Sequence, residues 1–353
     1  GAMKTFFYVL GYPDNDTGYQ LVMDLEDVPD ATLISNVFCK KIYTQIYNMY
    51  QPRKNRKYIK VLKSIISKKT FKKWIFAHCY EVSKINFRKE AVNCLVMINS
   101  GFCFGYTKEY IQYLREKVPN VYMVLYQLDP TEIFYKSLYN RMVFDDFDLI
   151  YNINRKEAKV YDQIYWPLIC SKNDADMKAS GNIVYDLYFI GFGSDRSNIL
   201  EEMYINANKK NVRTKFIVFY FDEKQYKGVE KINTRMEYKK NLNFIRESNC
   251  LLEILHDGYQ NVTQRYVEAI LYSKKLLTNN EEIKTYPFYN EKYMKIFKNI
   301  SDIDWNWVCL NEEVKYGYHD EFSPKVLLTD LERRIYEDRR TREKIELKDD
   351  NEG

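Results

Sequence analysis

At 353 residues the chain is longer than one core usually organises, so two domains are expected. A composition 46% hydrophobic and 29% charged excludes a mainly disordered chain, and 12 Gly with 8 Pro excludes collagen-like or linker-like sequence. The net charge of +5 hides an asymmetry: residues 31–80 contain no Asp or Glu but twelve Lys and Arg, so the remainder is acidic.

In chain order, Thr5–Leu10 reads as a strand that ends in the polar loop Gly11–Gly18 and opens a helix. Within the acid-free block, Ile59, Leu62 and Ile66 recur at helical spacing between lysines, which predicts a basic amphipathic helix. Lys68, Lys69, Lys72 and Lys73 extend its charge, and the expected partner is an anionic membrane surface. Nucleic acid is not expected, because no nucleic-acid module accompanies the interleaved aromatics Tyr58, Phe71, Trp74 and Phe76. Val92–Ile98, Val121–Leu125 and Phe147–Tyr151 read as strands, with helices over Lys108–Lys117 and Glu132–Arg141. A polar stretch, 171–182, reads as a linker.

The pattern then restarts. Tyr185–Ile190 is a strand, Gly191–Arg196 a turn and Ser197–Lys209 a helix. Thr214–Phe221, Leu251–Leu255 and Lys275–Thr278 are strands, Glu237–Glu247 and Val262–Tyr272 helices, and Leu328–Lys348 a long charged helix. Alternating strands and helices predict an α/β protein with mostly parallel sheets and two Rossmann-like domains. The boundaries drawn are 3–170, a linker at 171–182, 183–325, and a terminal helix and tail at 326–353.

Seven scattered Cys with no CxxC pair and only three His argue for free thiols in a reducing compartment and against structural zinc. No apolar stretch approaches the roughly 18 residues a bilayer span needs. Gly1-Ala2 ahead of Met3 reads as a vector remnant, and no signal peptide is expected before Lys4. The expected location is cytoplasmic, peripheral on the inner face of the membrane.

Two places carry chemistry. Gly191-x-Gly193-x-x-Arg196 lies between a strand and a helix, as a phosphate-cradling loop does, with Arg196 in place of a third glycine. The same pattern also suits a tight turn that uses glycine dihedrals. The second place is Leu251–Glu268, where an apolar strand runs through Gln260 and Asn261 into a helix that carries Thr263, Arg265 and Glu268 at its start. A helix start at the carboxyl end of a strand is an anion site.

Glu237-Tyr238 with Asn241, the run Ile245–Ile254, Thr263-x-Arg265-x-x-Glu268-Ala269 and Lys274–Asn280 resemble the donor domain of bacterial GT-B glycosyltransferases. The nearest likeness is to enzymes of capsule and lipopolysaccharide biosynthesis. Phe147–Tyr161 and Trp166-Pro167-Leu168 resemble their interdomain passage, and the resemblance covers residues 145–305. It implies two Rossmann-like domains facing across a cleft, with a nucleotide sugar, UDP-linked by preference, in the C-terminal half. A glycan or polyprenyl-diphosphate-linked acceptor would occupy the N-terminal half. It further implies that Glu268 holds the ribose hydroxyls, that Thr263 and the Gly191–Gly193 loop hold the diphosphate, and that Arg196 and Arg265 meet the leaving nucleotide. Tyr238, Gln260 and Asn261 complete the donor set. Gln260 stands where many retaining members carry a second Glu, and Asn261 where relatives often have Gly.

No metal and no cofactor are expected, since such enzymes stabilise the diphosphate with helix dipoles and cations. The candidate bases are Asp16, in the Gly11–Gly18 loop, and Asp129, after the Val121–Leu128 run. Two alternatives stay open: a nucleotide-sugar epimerase of the same fold, and a non-catalytic nucleotide- or glycan-binding protein.

Overall fold

A computed structural model describes residues 3–12, 16–41, 43, 69–99, 106–131, 144–173, 182–219, 222–255 and 261–352. The chain divides into two compact units, one of residues 1–169 with 324–353 and one of residues 170–323.

The first unit holds a six-stranded sheet of β1 (Thr5–Leu10), β2 (Ala31–Ile34), β3 (Val92–Asn99), β4 (Val121–Gln127), β5 (Leu149–Asn152) and β6 (Ile164–Tyr165). Its order is β2-β1-β3-β4-β5-β6 and every pairing is parallel. The central strands are continuous apolar runs because helices cover both faces of such a sheet, and Cys94, Leu95 and Met97 are fully buried. The chain leaves β1 in one direction and resumes with β3 on its other side, so the order reverses between them. Gly11, at φ 82°, follows β1 at that point and takes a conformation an L side chain resists.

Around this sheet lie α1 (Asp16–Val22), α2 (Lys69–His78), α3 (Lys108–Lys117) and α4 (Arg155–Val160). Thr107 caps α3 by accepting from the Tyr110 N–H, and Tyr110, Ile111 and Leu114 form its buried stripe. The predicted helix Ile59–Ile66 and the predicted helix Glu132–Arg141 lie outside the described residues.

The terminal helix, α5 (Pro324–Glu352), belongs to the first unit rather than forming a region of its own. Leu327, Leu328, Leu331 and Ile335 give it an apolar stripe, all buried. The Tyr151 hydroxyl donates to Asp330 Oδ2 (2.8 Å) and the Tyr122 hydroxyl to Asp338 Oδ2 (3.2 Å), tying it to β5 and β4.

The second unit repeats the design with β7 (Tyr185–Phe192), β8 (Thr214–Phe219), β9 (Val229–Lys231), β10 (Ser248–Glu253), β11 (Lys275–Thr278) and β12 (Met294–Ile296). The order is β12-β11-β10-β7-β8-β9, again all parallel. Counted from its own first strand this is 6-5-4-1-2-3, the dinucleotide-binding Rossmann order, whose switch point lies between β7 and β10. The helices are α6 (Ser197–Asn208), α7 (Tyr238–Arg246), α8 (Gln264–Leu271) and α9 (Trp305–Cys309). The chain is thus an α/β protein with two Rossmann-like sheets, as its strand–helix alternation predicts.

Two strands are displaced from their predicted bounds: β5 begins at Leu149, two residues after the predicted Phe147, and β10 moves the other way. The apolar letters of Leu251–Leu255 suggested a strand there, but β10 begins three residues earlier, at Ser248 and Asn249. Both polar side chains are buried because carbonyls satisfy them: Ser248 Oγ donates to Phe244 O (2.6 Å), and Asn249 Nδ2 to Val308 O (2.6 Å) and Leu310 O (3.0 Å). Lys275 is likewise fully buried, its ammonium donating to the carbonyls of Trp307, Val308 and Leu310 at the end of α9. Burial lowers its pKa.

Leu331→Ala should cost about 2–5 kcal/mol, because a fully buried leucine leaves a cavity. Urea unfolding followed by tryptophan fluorescence measures it. Wild-type stability in that variant would show that α5 does not stabilise the first unit.

Candidate functional site

At the switch point of the second sheet β7 and β10 run side by side, with Ser248 opposite Tyr185 and Leu251 opposite Tyr188. The chain leaving β7 turns at Gly193 into a 3-10 turn, Ser194–Arg196, and then α6. The chain leaving β10 passes Leu255, whose N–H donates to Asn279 Oδ1 (2.8 Å), and is next described at Asn261, just before α8. His256 and Gln260 lie outside the described residues.

Neither glycine of the first turn uses a left-handed backbone. Gly193 has φ −75° and its carbonyl accepts the N–H groups of Arg196 (2.8 Å) and Ser197 (2.9 Å) and the Ser197 hydroxyl (3.0 Å). A Cβ at Gly191 would sit 2.9 Å from Arg196 Nη1, the far end of a flexible side chain, and 3.0 Å from the Phe189 ring, so a larger residue there would displace the arginine. Arg196 passes across the end of β7, its guanidinium 5.8 Å from the Phe189 ring centre. Burial lowers the Arg196 pKa, the Arg265 charge adds to this, and Asp195 and Glu253 oppose it.

Thr263 caps α8 with φ −105° and ψ 161°, and its Oγ1 accepts from the Tyr266 N–H (3.3 Å). Its proton goes to Glu253 Oε1. The other oxygen of Glu253 accepts from the Thr278 hydroxyl, which itself accepts from the Asn280 N–H (2.9 Å). Glu253 is 3% exposed, and burial raises its pKa against the two threonine hydrogen bonds and the charges of Arg265 and Arg196. Asn261 is buried beside the cap, and among the described residues its Nδ2 has no hydrogen-bond partner.

One turn into α8, Arg265 Nη1 lies 2.5 Å from Glu268 Oε2. Glu268 is fully buried; its Oε1 accepts from Asn241 Nδ2 (3.1 Å), and Asn241 Oδ1 accepts from the Tyr188 hydroxyl (2.8 Å). Burial raises the Glu268 pKa, moderated first by the Arg265 charge and also by the Asn241 hydrogen bond.

Three of the expected donor residues have partners within the protein. The Glu268 carboxylate lies against Asn241 and Arg265, and among the described residues its Oε2, close to the Arg265 guanidinium, makes no hydrogen bond. The Thr263 hydroxyl donates to Glu253 and accepts from the helix N–H. Tyr238, expected as a donor-binding residue, is buried next to Glu268 and Tyr272. Gly191, Gly193, Arg196, Asn261, Thr263 and Arg265 remain grouped around the two strand ends.

The first-unit candidates have less structure around them. Asp16 begins α1, and its side chain lies outside the described residues, as do those of Lys68, Lys69 and Lys72. Lys73 is exposed, next to Trp74 at 47% exposure. Asp129 is half-buried after β4, where its carbonyl accepts from Gln127 Nε2 (3.0 Å).

Several other aspartates have structural tasks. Asp148 accepts from the Met123 N–H, Asp302 closes a capping box with Asn299, and Asp304 caps α9. Among the described residues no group of three or more His, Cys, Asp or Glu is placed to hold a metal ion. No described helix is long and apolar enough to cross a membrane.

Glu253 is the residue the sequence reading passed over. Its signal was available as a single charge inside the apolar run Leu251–Leu255.

No family model matches the sequence, and no curated protein matches it. Among solved structures, sucrose-phosphate synthase from Thermosynechococcus elongatus is similar at 10% identity and TM-score 0.49, over 94% of this chain and 99% of that one. UDP-GlcNAc 2-epimerase from Methanocaldococcus jannaschii is similar at 10% identity and TM-score 0.45, over 90% and 96%. The Glycosylation Associate Protein complex from Streptococcus agalactiae is similar at 10% identity and TM-score 0.38, over 67% of this chain but 53% of that one. The chain thus spans about half the length of that last protein. None of these likenesses carries the functional argument, which rests on the site's own residues.

Because the folded pKa of Glu253 is raised above 4.5, the folded state holds this proton more tightly than the unfolded chain does. Its contribution to stability therefore falls as pH rises from about 4.5 through the folded value, and is constant above that. The wild type should gain stability relative to Glu253→Gln as pH is lowered from 7 to 5, read by urea unfolding at each pH. A pH-independent difference would show an ordinary carboxylate.

Proposed function

We propose that this chain is a metal-independent glycosyltransferase. It moves a sugar from a nucleoside-diphosphate sugar, UDP-linked by preference, to a surface-glycan or polyprenyl-diphosphate-linked acceptor. The observation that carries this reading is the pair Arg196 and Arg265. They arrive from two different strand–helix turns at the switch point of a Rossmann-ordered sheet, beside the start of α8 and the Asn261 amide, whose Nδ2 has no partner among the described residues. Two guanidiniums, an amide donor and a helix N-terminus form a receptor for a diphosphate.

In the reaction, the bond from the sugar C1 to the diphosphate oxygen breaks and a bond from C1 to the acceptor oxygen forms. The acceptor proton passes to a carboxylate, for which Asp16 and Asp129 are the candidates. Negative charge grows on the departing diphosphate, where Arg196, Arg265 and the helix start stabilise it without a metal. Such stabilisation is strongest for cations already held in place, and the Glu268 carboxylate holds Arg265.

Melting the protein with UDP, GDP, CMP or ADP tests the donor assignment, because a ligand bound only to the folded state raises the melting temperature. UDP should give the largest rise. Arg196→Gln should weaken UDP binding about tenfold or more, the loss of a charge-assisted hydrogen bond of roughly 1.5–3 kcal/mol. No rise with any nucleotide would overturn the reading. UDP release from the UDP-sugar that requires an added acceptor separates transfer from epimerisation and from binding alone.

The acid-free block supports an anionic membrane surface as the place of work, with the protein cytoplasmic and peripheral. Each Lys or Arg near such a surface contributes about 1 kcal/mol, screened over a Debye length. Replacing Lys68, Lys69, Lys72 and Lys73 by Gln should release the protein from phosphatidylserine vesicles in a flotation assay, with UDP binding unchanged. Unaltered flotation would remove the membrane assignment.

A further inference from the structure

We propose that Glu253 is the positioning residue of the anion site, fixing the start of α8 and the exit of β11 through two threonine hydroxyls. The inference rests on the donor reading above and names a residue that reading does not use.

A carboxylate at the end of a central strand is an expensive choice, since burying the charge costs several kcal/mol that a leucine or valine would avoid. Here it is met from every described side. The Thr263 hydroxyl reaches Oε1 from the cap of α8, and the Thr278 hydroxyl reaches Oε2 from the end of β11. The charges of Arg196, from the turn after β7, and Arg265, from α8, act on the same group.

Each hydroxyl also accepts a backbone N–H, from Tyr266 and from Asn280. One carboxylate therefore sets the direction in which two consecutive strands hand over to their following turns. With Thr263 so committed, the first-turn N–H groups that an α-helix does not use internally, those of Gln264 and Arg265, are aimed by the cap. Glu253 acts on the ligand through Thr263 and the two arginines, not by touching it.

The test is titration calorimetry of UDP with the wild type and with Glu253→Gln, Thr263→Val, the double variant and Thr263→Ser, each alongside its melting temperature. Glu253→Gln and Thr263→Val should each weaken UDP about tenfold. The double variant should be no weaker than either alone, because both remove one linkage. Thr263→Ser, which keeps the hydroxyl, should bind as the wild type does; a general loss of stability would not reproduce that rescue. Wild-type affinity in a folded Glu253→Gln variant, or additive effects in the double variant, would overturn the proposal while leaving the donor reading in place. If Glu253→Gln does not fold, the Thr263→Val and Thr263→Ser pair decides: equal affinities overturn the proposal. Failure of the wild type to bind any nucleoside diphosphate would remove the donor reading and this inference with it.

Discussion

Two buried carboxylates, Glu253 and Glu268, sit at the seam between the halves of the second sheet, and the elements that meet there are the ones that bring polar or charged partners to them. Glu268 is enclosed on α8, so Arg265 must lie against it, Asn241 of α7 must donate to it, and Tyr188 of β7 must hold Asn241. Glu253 at the end of β10 requires the Thr263 cap and the Thr278 hydroxyl. Removing any one partner leaves an uncompensated polar group in a dry place, which costs more than the contact itself contributed. The elements that meet at the switch point are thus locked by polar demands, while the remainder of the sheet is held by apolar packing among residues such as Leu200, Met203, Phe216 and Leu252.

How much of this was legible in the sequence depends on which physical signal each part left there. Thr5–Leu10, Lys108–Lys117 and Lys275–Thr278 fall where the apolar pattern places them, because both faces of a parallel strand and one stripe of a helix must be apolar. The short strands β2, β6, β9 and β12 carry four residues or fewer and have no predicted counterpart, although the equally short Lys275–Thr278 has one. The start of β10 was misplaced because Ser248 and Asn249 look like loop residues until the carbonyls that satisfy them are brought in from α7 and the end of α9. That is long-range information no local pattern holds.

The candidate site shows the same division. Its location was readable, since a glycine turn with an arginine and a capped helix after an apolar run are local features. The roles within it were not. Gly191 reads in the sequence as part of a phosphate-cradling loop or of a tight turn using glycine dihedrals; its backbone is not left-handed, and a Cβ there would meet the Arg196 guanidinium. Glu268 was read as a ligand-facing carboxylate from its place near a helix start. Whether a residue one turn into α8 faces a ligand or the interior depends on α7 packing alongside, with Asn241 waiting for it. The family resemblance implies a ribose-facing Glu268 and carries no information on the Asn241 and Arg265 contacts.

The charge at the switch point adds a final constraint. Arg196 and Arg265 face Glu253 and Glu268, so before any ligand arrives the four side chains balance near neutrality. A diphosphate entering there would add negative charge beside two carboxylates whose pKa values burial has already raised. Such a ligand requires the cations to lie nearer to it than the carboxylates do. Glu268 is fully enclosed and Glu253 nearly so, whereas the Arg265 side chain keeps 12% exposure and Arg196 is half-buried over the end of β7. The N-terminus of α8 carries positive partial charge at the same end of the sheet, so it acts on an anion there in the same sense as the two guanidiniums.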